Sequence, residues 1–385
     1  MRMPELRELL GGHIRQAREH LGWTQQQLAE KVGLNYSEQI SQIELGKRDV
    51  KAWELHKIAN ALRVDFQELL SSDGPRFGPA PLWRQSRTGA PQNKAEMEAL
   101  LRLRSLRYHQ VLEMTYAAKG EELPWKDDLD VLNANYDQLY SLAEDVRQHL
   151  DLGEAPAKKL FDTLEERYGV MIFFADLGEN GSAMSVRGPY GPAMLLNKQE
   201  PPWRRNYSCA HELFHLLTWN AVPRGQIENH DTFEKVERAA EAFASALLMP
   251  RQSVIAQVRQ HLCNHQLAVS ALIEIARWFD VSTTALFWRL VNLGIIPREA
   301  RDRLDDPSFR QADRETMSSC WWTPEDLPKR FVERAVQACA QGLLSRARLA
   351  SLFDCDLSAL PGFLANYGLD LDLIDTVHEA TIALA

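Results

Sequence analysis

The sequence predicts an α+β fold that is mostly helical, with a small sheet between helical regions. Apolar residues recur with helical spacing in five short segments between residues 6 and 70. Three short apolar segments, VMIFFA, SAMSVRG and AMLLN, read as strands between residues 170 and 197. Helical spacing resumes after them. With 385 residues and 45% hydrophobic residues, the chain is long enough for two or three domains.

The first segments predict a five-helix domain over residues 1–72. Thr24 is a plausible N-cap, and Gln27 three residues later completes a capping box. Gly33 and Gly46 end their helices in the manner of C′ glycines. The second and third helices are separated by a turn of a few residues, which is the arrangement of a helix-turn-helix.

A linker and a helical middle region are expected over residues 73–140, because SSDGPRFGPAP (71–81) marks a boundary. Residues 76–110 contain seven basic and two acidic residues, a net charge of +5, with aromatic residues between them. This combination suits single-stranded nucleic acid. The alternative is that the arginines form a solvated helix face. The candidate contacts to a single strand are Trp83, Arg84, Arg87, Arg102, Arg104 and Arg107.

The segment SCAHELFHLLTWN (208–220) carries the motif H-E-x-x-H. His211 and His215 lie four residues apart, so on a helix both imidazoles can bind one ion. Glu212 can then reach a water on that ion and act as the general base. AMLLN precedes this helix and is the candidate edge strand for an extended substrate.

A catalytic zinc needs a third protein ligand and one open position. Residues 234–250 predict a second helix, on which Glu237 and Glu241 share one face. His261 and His265 repeat the four-residue spacing without the glutamate, which favours a surface helix. Cys209 is either a small buried residue or a thiolate that blocks the open position.

Composition limits location and partners. No stretch of about 18 apolar residues is present, so no membrane span is expected. The five cysteines form no C-x-x-C pair, and the start lacks an apolar signal region, so a cytoplasmic protein is expected. A net charge of −9 argues against a chain coated in nucleic acid but leaves local DNA contacts open.

The N-terminal segments WTQQQLAEKVG, ISQIELGKR and LHKIANALRV resemble the Cro/CI-type (XRE) helix-turn-helix family. The resemblance implies a third helix in the major groove. It implies DNA contacts by Gln25, Asn35, Tyr36, Ser37, Gln39 and Gln42, with Lys47 and Arg48 near phosphates. Two features depart from the family: one extra residue between Gly33 and Ile40, and ten basic against ten acidic residues over 1–70. A protein-interaction role is therefore the alternative.

RRNYSCAHELFHLLTWN, ERAAEAFASALLMP and IARWFDVSTTALFWRLVNLGII resemble the ImmA/IrrE metallopeptidase family in that order. The resemblance implies a zincin-like domain over 141–298, with the sheet packed on the H-E-x-x-H helix, and a helical region over 299–385. It implies one zinc per chain on His211, His215 and Glu237. Glu241 stands where the family usually has asparagine, so it is an alternate ligand or a partner of a histidine. Phe214 replaces a frequent glycine and is expected to narrow the space beside the metal.

The resemblance implies a zinc-dependent, gluzincin-like regulatory endopeptidase that cleaves a helix-turn-helix repressor and derepresses a stress, mobile-element or phage-defence operon. Single-stranded DNA is the candidate trigger. The alternatives are a DNA-binding repressor and a toxin–antitoxin partner, each with a zinc domain that is only a sensor. Expected partners are the repressor and DNA, with a homodimer as a further arrangement.

Overall fold

The mostly helical α+β architecture predicted from the sequence is confirmed. A computed structural model describes residues 3–85, 93–117, 120–179, 181–227, 229–263, 266–305, 307–318 and 321–370. Within these ranges, helices surround one four-stranded sheet. None of the described helices is long and apolar enough to cross a membrane.

Five short helices form the N-terminal domain, as predicted. They are α1 (Met3–His20), α2 (Gln25–Val32), α3 (Ser37–Glu44), α4 (Ala52–Leu62) and α5 (Phe66–Leu70). The predicted capping box is present, since Thr24 Oγ1 accepts from the Gln27 amide while Gln27 Oε1 accepts from the Thr24 amide. Gly33 ends α2 in the left-handed region at φ 73°. An apolar core, which includes Ile14, Leu28 and Ile40 and extends to Ala99 of the middle region, holds the helices together.

The middle region contains a strand that the sequence analysis did not predict. β1 (Leu82–Gln85) follows the linker, and α6 (Lys94–Met114) comes after it. Helices α7 (Tyr136–His149) and α8 (Ala157–Asp162) follow, and α8 continues into a π-helical turn, Thr163–Arg167. The predicted linker and helical middle region over 73–140 did not include this strand.

The sheet has the strand order β1-β3-β4-β2, with β2 (Met171–Ala175), β3 (Gly181–Gly188) and β4 (Gly191–Asn197). β2 and β4 are parallel, whereas β3 runs antiparallel to both β4 and β1. The AMLLN segment is β4, which is paired on both sides. The prediction that AMLLN is an edge strand is wrong, because β3 and β2 flank it and the linker supplies the edge strand β1.

The remaining elements are helical apart from one short two-stranded sheet. They are α9 (Pro202–Leu217), α10 (Arg224–Ile227), α11 (His230–Leu248), α12 (Arg251–His261), β5 (Leu262–Cys263), β6 (Gln266–Leu267), α13 (Val269–Trp278), α14 (Thr283–Asn292), a 3-10 helix (Arg298–Asp305), α15 (Pro307–Ser318), α16 (Lys329–Ala340), α17 (Arg346–Leu352) and α18 (Leu360–Asn366). The expected surface helix over 261–265 is wrong, since His261 ends α12 and β5 then pairs with β6. His265 lies outside the described residues.

Each face of the sheet packs on its own apolar core. One core joins the sheet to α7, α9, α11 and α14, and includes Ile172, Leu213 and Phe243. The other joins the opposite face to α6 and the C-terminal helices, and includes Trp83 and Phe331. The helices of the C-terminal region thus cover the side of the sheet that faces away from α9.

Candidate metal centre

Helix α9 places the H-E-x-x-H residues inside the protein. The helix begins at Pro202, a residue suited to the first helical turn because it has no amide hydrogen to leave unpaired. Leu213, Leu216 and Leu217 on this helix are completely buried. Because the helix is packed in the hydrophobic core, His211, Glu212 and His215 lie inside the protein. Their exposed fractions are 0%, 0% and 1%.

Three potential ligand atoms converge between α9 and α11. His211 Nε2 and His215 Nε2 are 3.1 Å apart, while the carboxylate oxygens of Glu237 lie 3.3 Å from the first and 3.1 Å from the second. A tetrahedral zinc with ligands at about 2.0–2.1 Å separates its ligand atoms by about 3.3 Å. These donors and separations fit a zinc ion. Among the described residues, these three are the His, Cys, Asp or Glu side chains that lie close enough together, in a group of at least three, to bind one metal ion.

The charge states of His211 and Glu237 also suit metal binding. Burial lowers the pKa of His211 to about 4, so its imidazole is neutral at pH 7. Burial acts to raise the pKa of Glu237, but hydrogen bonds with His211 and His215 outweigh it and hold that pKa well below its usual range. A neutral imidazole and an ionised carboxylate are the forms that bind metals.

Glu212 lies beside the trio and has one oxygen held and one free. Ser185 on β3 donates a hydrogen bond of 2.6 Å to Glu212 Oε2. Within the described part of the chain, Oε1 is buried and has no hydrogen-bond partner. Burial raises the pKa of Glu212 to about 7. A carboxyl group with such a pKa can take up and release a proton near neutral pH.

Glu241 lies one helical turn from Glu237, on the other side of His211. Its Oε1 is 3.6 Å from His211 Nδ1 and 3.0 Å from Arg84 Nη2. Glu241 is therefore next to Nδ1 of His211, while Glu237 lies next to the Nε2 atoms of both histidines. The geometry favours Glu237 over Glu241 as the third ligand.

Phe214, which was expected to narrow the space beside the metal, and Cys209, for which two roles were left open, both belong to the core. Phe214 is fully buried and packs with its ring centroid 5.4 Å from that of Phe243 and 6.0 Å from that of His215. Cys209 is also fully buried, and burial raises the pKa of its thiol well above the ordinary value. A neutral thiol is a poor metal ligand, which favours the apolar interpretation of Cys209.

The expected single-strand surface is wrong for four of its six residues. Trp83, Arg104 and Arg107 are 3%, 7% and 4% exposed, so neither the ring nor the guanidinium groups face solvent. The side chains are paired inside the protein: Trp83 with Glu98, Arg102 with Glu68, Arg104 with Asp326 and Arg107 with Asp354. Helix α6 uses its arginines as internal anchors because it is packed on several sides.

The other two residues of that set have different outcomes. Arg84 reaches the metal helices, where it bonds Glu241 and also donates to Ser208 Oγ at 2.7 Å. Arg87 lies outside the described residues. Ser185 was not identified as a site residue from the sequence, and Arg84 was identified only as a candidate single-strand contact, because each meets the metal site through contacts with residues far away in the chain.

The candidate DNA contacts lie together around α3. The exposed members are Asn35, Tyr36, Gln42 and Lys47. Ser37, Gln39, Gln25 and Arg48 are half-buried. The Gln25 and Arg48 side chains are already engaged, the first with Glu44 and the second with Glu54. The extra residue after Gly33 leaves Tyr36 as the N-cap of α3, without a side-chain capping bond.

Comparisons with known families match two parts of the chain. Residues 165–290 match the peptidase M78 family model, described as the IrrE N-terminal-like domain. Residues 14–69 match a helix-turn-helix family model. The first range contains α9 and α11 with all the candidate metal ligands, and the second contains α2 and α3. No curated protein matches the chain.

Proposed function

The chain joins an XRE-type helix-turn-helix domain to an IrrE/ImmA-like metallopeptidase domain, and we propose that it is a zinc-dependent regulatory endopeptidase. Its proposed substrate is a helix-turn-helix transcriptional repressor. Cleavage of this repressor would switch on a stress, mobile-element or phage-defence operon. The substrate class follows from the ImmA/IrrE resemblance and from the fusion to a DNA-binding type of domain.

One observation carries the enzymatic part of the proposal: Glu212 lies beside three convergent ligand atoms. His211, His215 and Glu237 would hold the zinc, because their atoms already lie 3.1–3.3 Å from one another. A zinc domain with only a structural role does not need a buried carboxyl group next to its ligands. Burying such a group with an unpartnered oxygen is costly, which supports a catalytic role.

The proposed reaction is hydrolysis of a peptide bond. Bound zinc supplies a Lewis acid that polarises the scissile carbonyl and makes a water more acidic. Glu212 takes the proton of the attacking water and passes it to the leaving amine. Ser185 holds Oε2 of Glu212, which leaves Oε1 for this proton transfer. The hydrogen bond also keeps the carboxyl group from rotating away from the ligands.

A second candidate is a DNA-binding regulator whose zinc domain senses but does not cut. The exposed side chains at the start of α3, such as Asn35 and Tyr36, favour a role for DNA in either case. We therefore retain duplex DNA as a proposed partner through α3. The buried arginines of α6 give no support to a single-strand trigger at that helix.

The deciding experiment combines metal analysis with a cleavage assay. The purified full chain, loaded with zinc, is incubated with the helix-turn-helix repressors encoded beside its gene, and the products are sized by mass spectrometry. We expect about one zinc per chain and one defined cut. Glu237→Gln should lose most of the zinc, whereas Glu241→Gln should keep more of it.

The outcomes separate the two candidates. A chain that binds zinc and repressor but leaves the repressor intact would favour the sensor. Full zinc occupancy in Glu237→Gln, together with metal loss in Glu241→Gln, would show that the third ligand is Glu241 instead.

A further inference from the structure

Arg84 connects the linker strand β1 to both metal helices. Its Nη1 donates to Ser208 Oγ on α9 at 2.7 Å, and its Nη2 donates to Glu241 Oε1 on α11 at 3.0 Å. Side chains alternate along a strand, so Arg84 points away from the core that its neighbour Trp83 enters. One side chain of β1 therefore bridges the two helices that carry His211, His215 and Glu237.

Glu241 is the link between Arg84 and the metal ligands. Its Oε1 lies 3.6 Å from Nδ1 of His211. Within the described residues, this buried nitrogen has no hydrogen-bond partner. When the Nε2 atom of a histidine binds a metal, its Nδ1 carries hydrogen and normally donates to a carboxylate or carbonyl. Glu241 can accept that hydrogen after a small closing movement.

Glu241 needs an anchor to serve as this acceptor. Its side chain is 47% exposed, so it loses conformational freedom when it is held in one place. The Arg84 side chain is only 16% exposed, and its guanidinium lies 5.2 Å from the centre of the Tyr207 ring. A planar guanidinium held at two points is a rigid partner for a carboxylate.

We propose that Arg84 is a positioning residue for the metal centre, acting by holding Glu241 where it accepts the Nδ1 hydrogen of His211. This inference rests on the proposed function, because it requires His211 to bind zinc. It adds a residue from outside the matched peptidase range, since Arg84 precedes residue 165 by a long stretch of chain. The metal centre is then complete only with the linker strand in place.

Arg84 can influence zinc binding in two opposite ways, and the difference between them allows a sharp test of the inference. A guanidinium near a metal site repels a divalent cation through space. If this repulsion were its only influence, removing Arg84 would tighten zinc binding. If Arg84 acts through Glu241, removing it releases the acceptor of His211 and weakens zinc binding. The two explanations predict changes of opposite sign.

The measurement is the zinc affinity of the full chain, obtained by competition with a chromogenic chelator. We expect Glu241→Gln and Arg84→Ala each to weaken zinc binding by about 10-fold, the lower end of the range for such partners. The double variant should be no weaker than Glu241→Gln alone. Arg84→Lys should recover part of the loss, because an ammonium group can still pair with Glu241.

Arg102→Ala is the matched control, since Arg102 is also an anchored arginine of the region after the linker but pairs with Glu68. It should leave zinc affinity unchanged while lowering the melting temperature. Glu241→Gln tests the acceptor even if Arg84→Ala fails to fold, because residue 241 is half exposed.

Unchanged or tighter zinc binding in Arg84→Ala would overturn the inference, as would losses that add fully in the double variant. Equal weakening by Arg102→Ala would show a general folding effect and overturn it as well. If wild-type protein binds zinc and only these results fail, the proposed function stands. A wild-type chain without zinc affinity would overturn the proposed function and this inference together.

Discussion

At the scale of single residues, Glu212 combines complete burial with an oxygen that accepts no hydrogen bond from the described residues. An unsatisfied buried polar group costs about 1–3 kcal/mol. Its other oxygen is held by Ser185. This cost to stability agrees with the proton-transfer role proposed for Glu212.

We expect Glu212→Gln to retain zinc and to lose cleavage by about 100-fold or more, because the general base is removed and the ligands are kept. Zinc content by atomic absorption and single-turnover cleavage of the repressor would measure the two effects. Ser185→Ala is the companion variant and should lose less, since it removes only a hydrogen bond to the base. Wild-type cleavage rates in Glu212→Gln would contradict the mechanism.

The spacing of the motif was enough to predict His211, Glu212 and His215, because residues four apart on a helix share a face. Glu237 needed the family resemblance, since Glu241 has the same local pattern. Ser185 and Arg84 could not be predicted. Their roles depend on pairings with residues 27 and 157 positions away, and nothing in their local sequence marks those pairings.

At the scale of elements, the π-helical turn after α8 places Glu165 in the wall of a cavity of about 840 Å³, near Phe161 and Tyr367. Burial, reinforced by the nearby Asp162 and Glu166 carboxylates, raises the pKa of Glu165 to about 8. The folded state thus binds this proton more tightly than the unfolded chain does. Its contribution to stability is complete below pH 4.5 and is lost as the pH rises through about 8.

Glu165→Gln should therefore gain stability relative to wild-type protein as the pH increases. Urea unfolding at pH 5.5 and pH 8.5 would show a larger advantage of the variant at the higher pH. Glu179→Gln is the control, because its side chain is exposed and is not among the charges that act on Glu165. A constant difference between Glu165→Gln and wild type at both pH values would argue against a proton held by Glu165.

Strand β1 has only four residues, yet we expect it to contribute substantially to the stability of the sheet. Trp83 is 3% exposed and donates from Nε1 to Glu98. Replacing a buried tryptophan by alanine costs about 3–5 kcal/mol, so Trp83→Ala should markedly lower the free energy of unfolding. Trp53→Ala is the matched control, since Trp53 is 53% exposed and its loss should have little effect. Urea unfolding of both variants would show whether β1 is an integral part of the sheet.

Most elements were predictable, since the helices and the three central strands follow their apolar periodicity. β1 was not, because four residues between a Pro-rich linker and a helix carry too little pattern. The position of β4 within the sheet was also hidden. That position depends on the parallel pairing of β4 with β2, which precedes β3 in the chain.

At the scale of the whole molecule, the helix-turn-helix domain is fastened to the rest of the chain by ion pairs. Glu68 pairs with Arg102 on α6, and Asp65 pairs with Arg348 on α17. These contacts involve α5 and its N-cap, and α3 forms no ion pair with the described regions outside the helix-turn-helix domain. The surface proposed to bind DNA therefore remains available while the domain is docked.

DNA binding by this domain should be weak, since residues 1–70 carry no net charge and phosphate neutralisation supplies most non-specific affinity. Lys47→Ala should weaken binding to all duplex sequences and reduce the slope of log affinity against log salt by about 1. Gln42→Ala should instead reduce sequence preference. Lys57→Ala on α4 is the control, and fluorescence anisotropy at several salt concentrations would provide the measurement. An unchanged slope in Lys47→Ala would argue against a phosphate contact there.

The placement of β1 decides where this protein can be divided and recombined. A break at residue 140 would strip β3 of its neighbour and leave a row of unpaired backbone groups, which invites aggregation. A break near residue 72 would keep the sheet whole. We therefore expect an exchange of the DNA-binding module to preserve the fold only if the junction lies upstream of Leu82, because residues 82–85 belong structurally to the sheet and not to the module they follow.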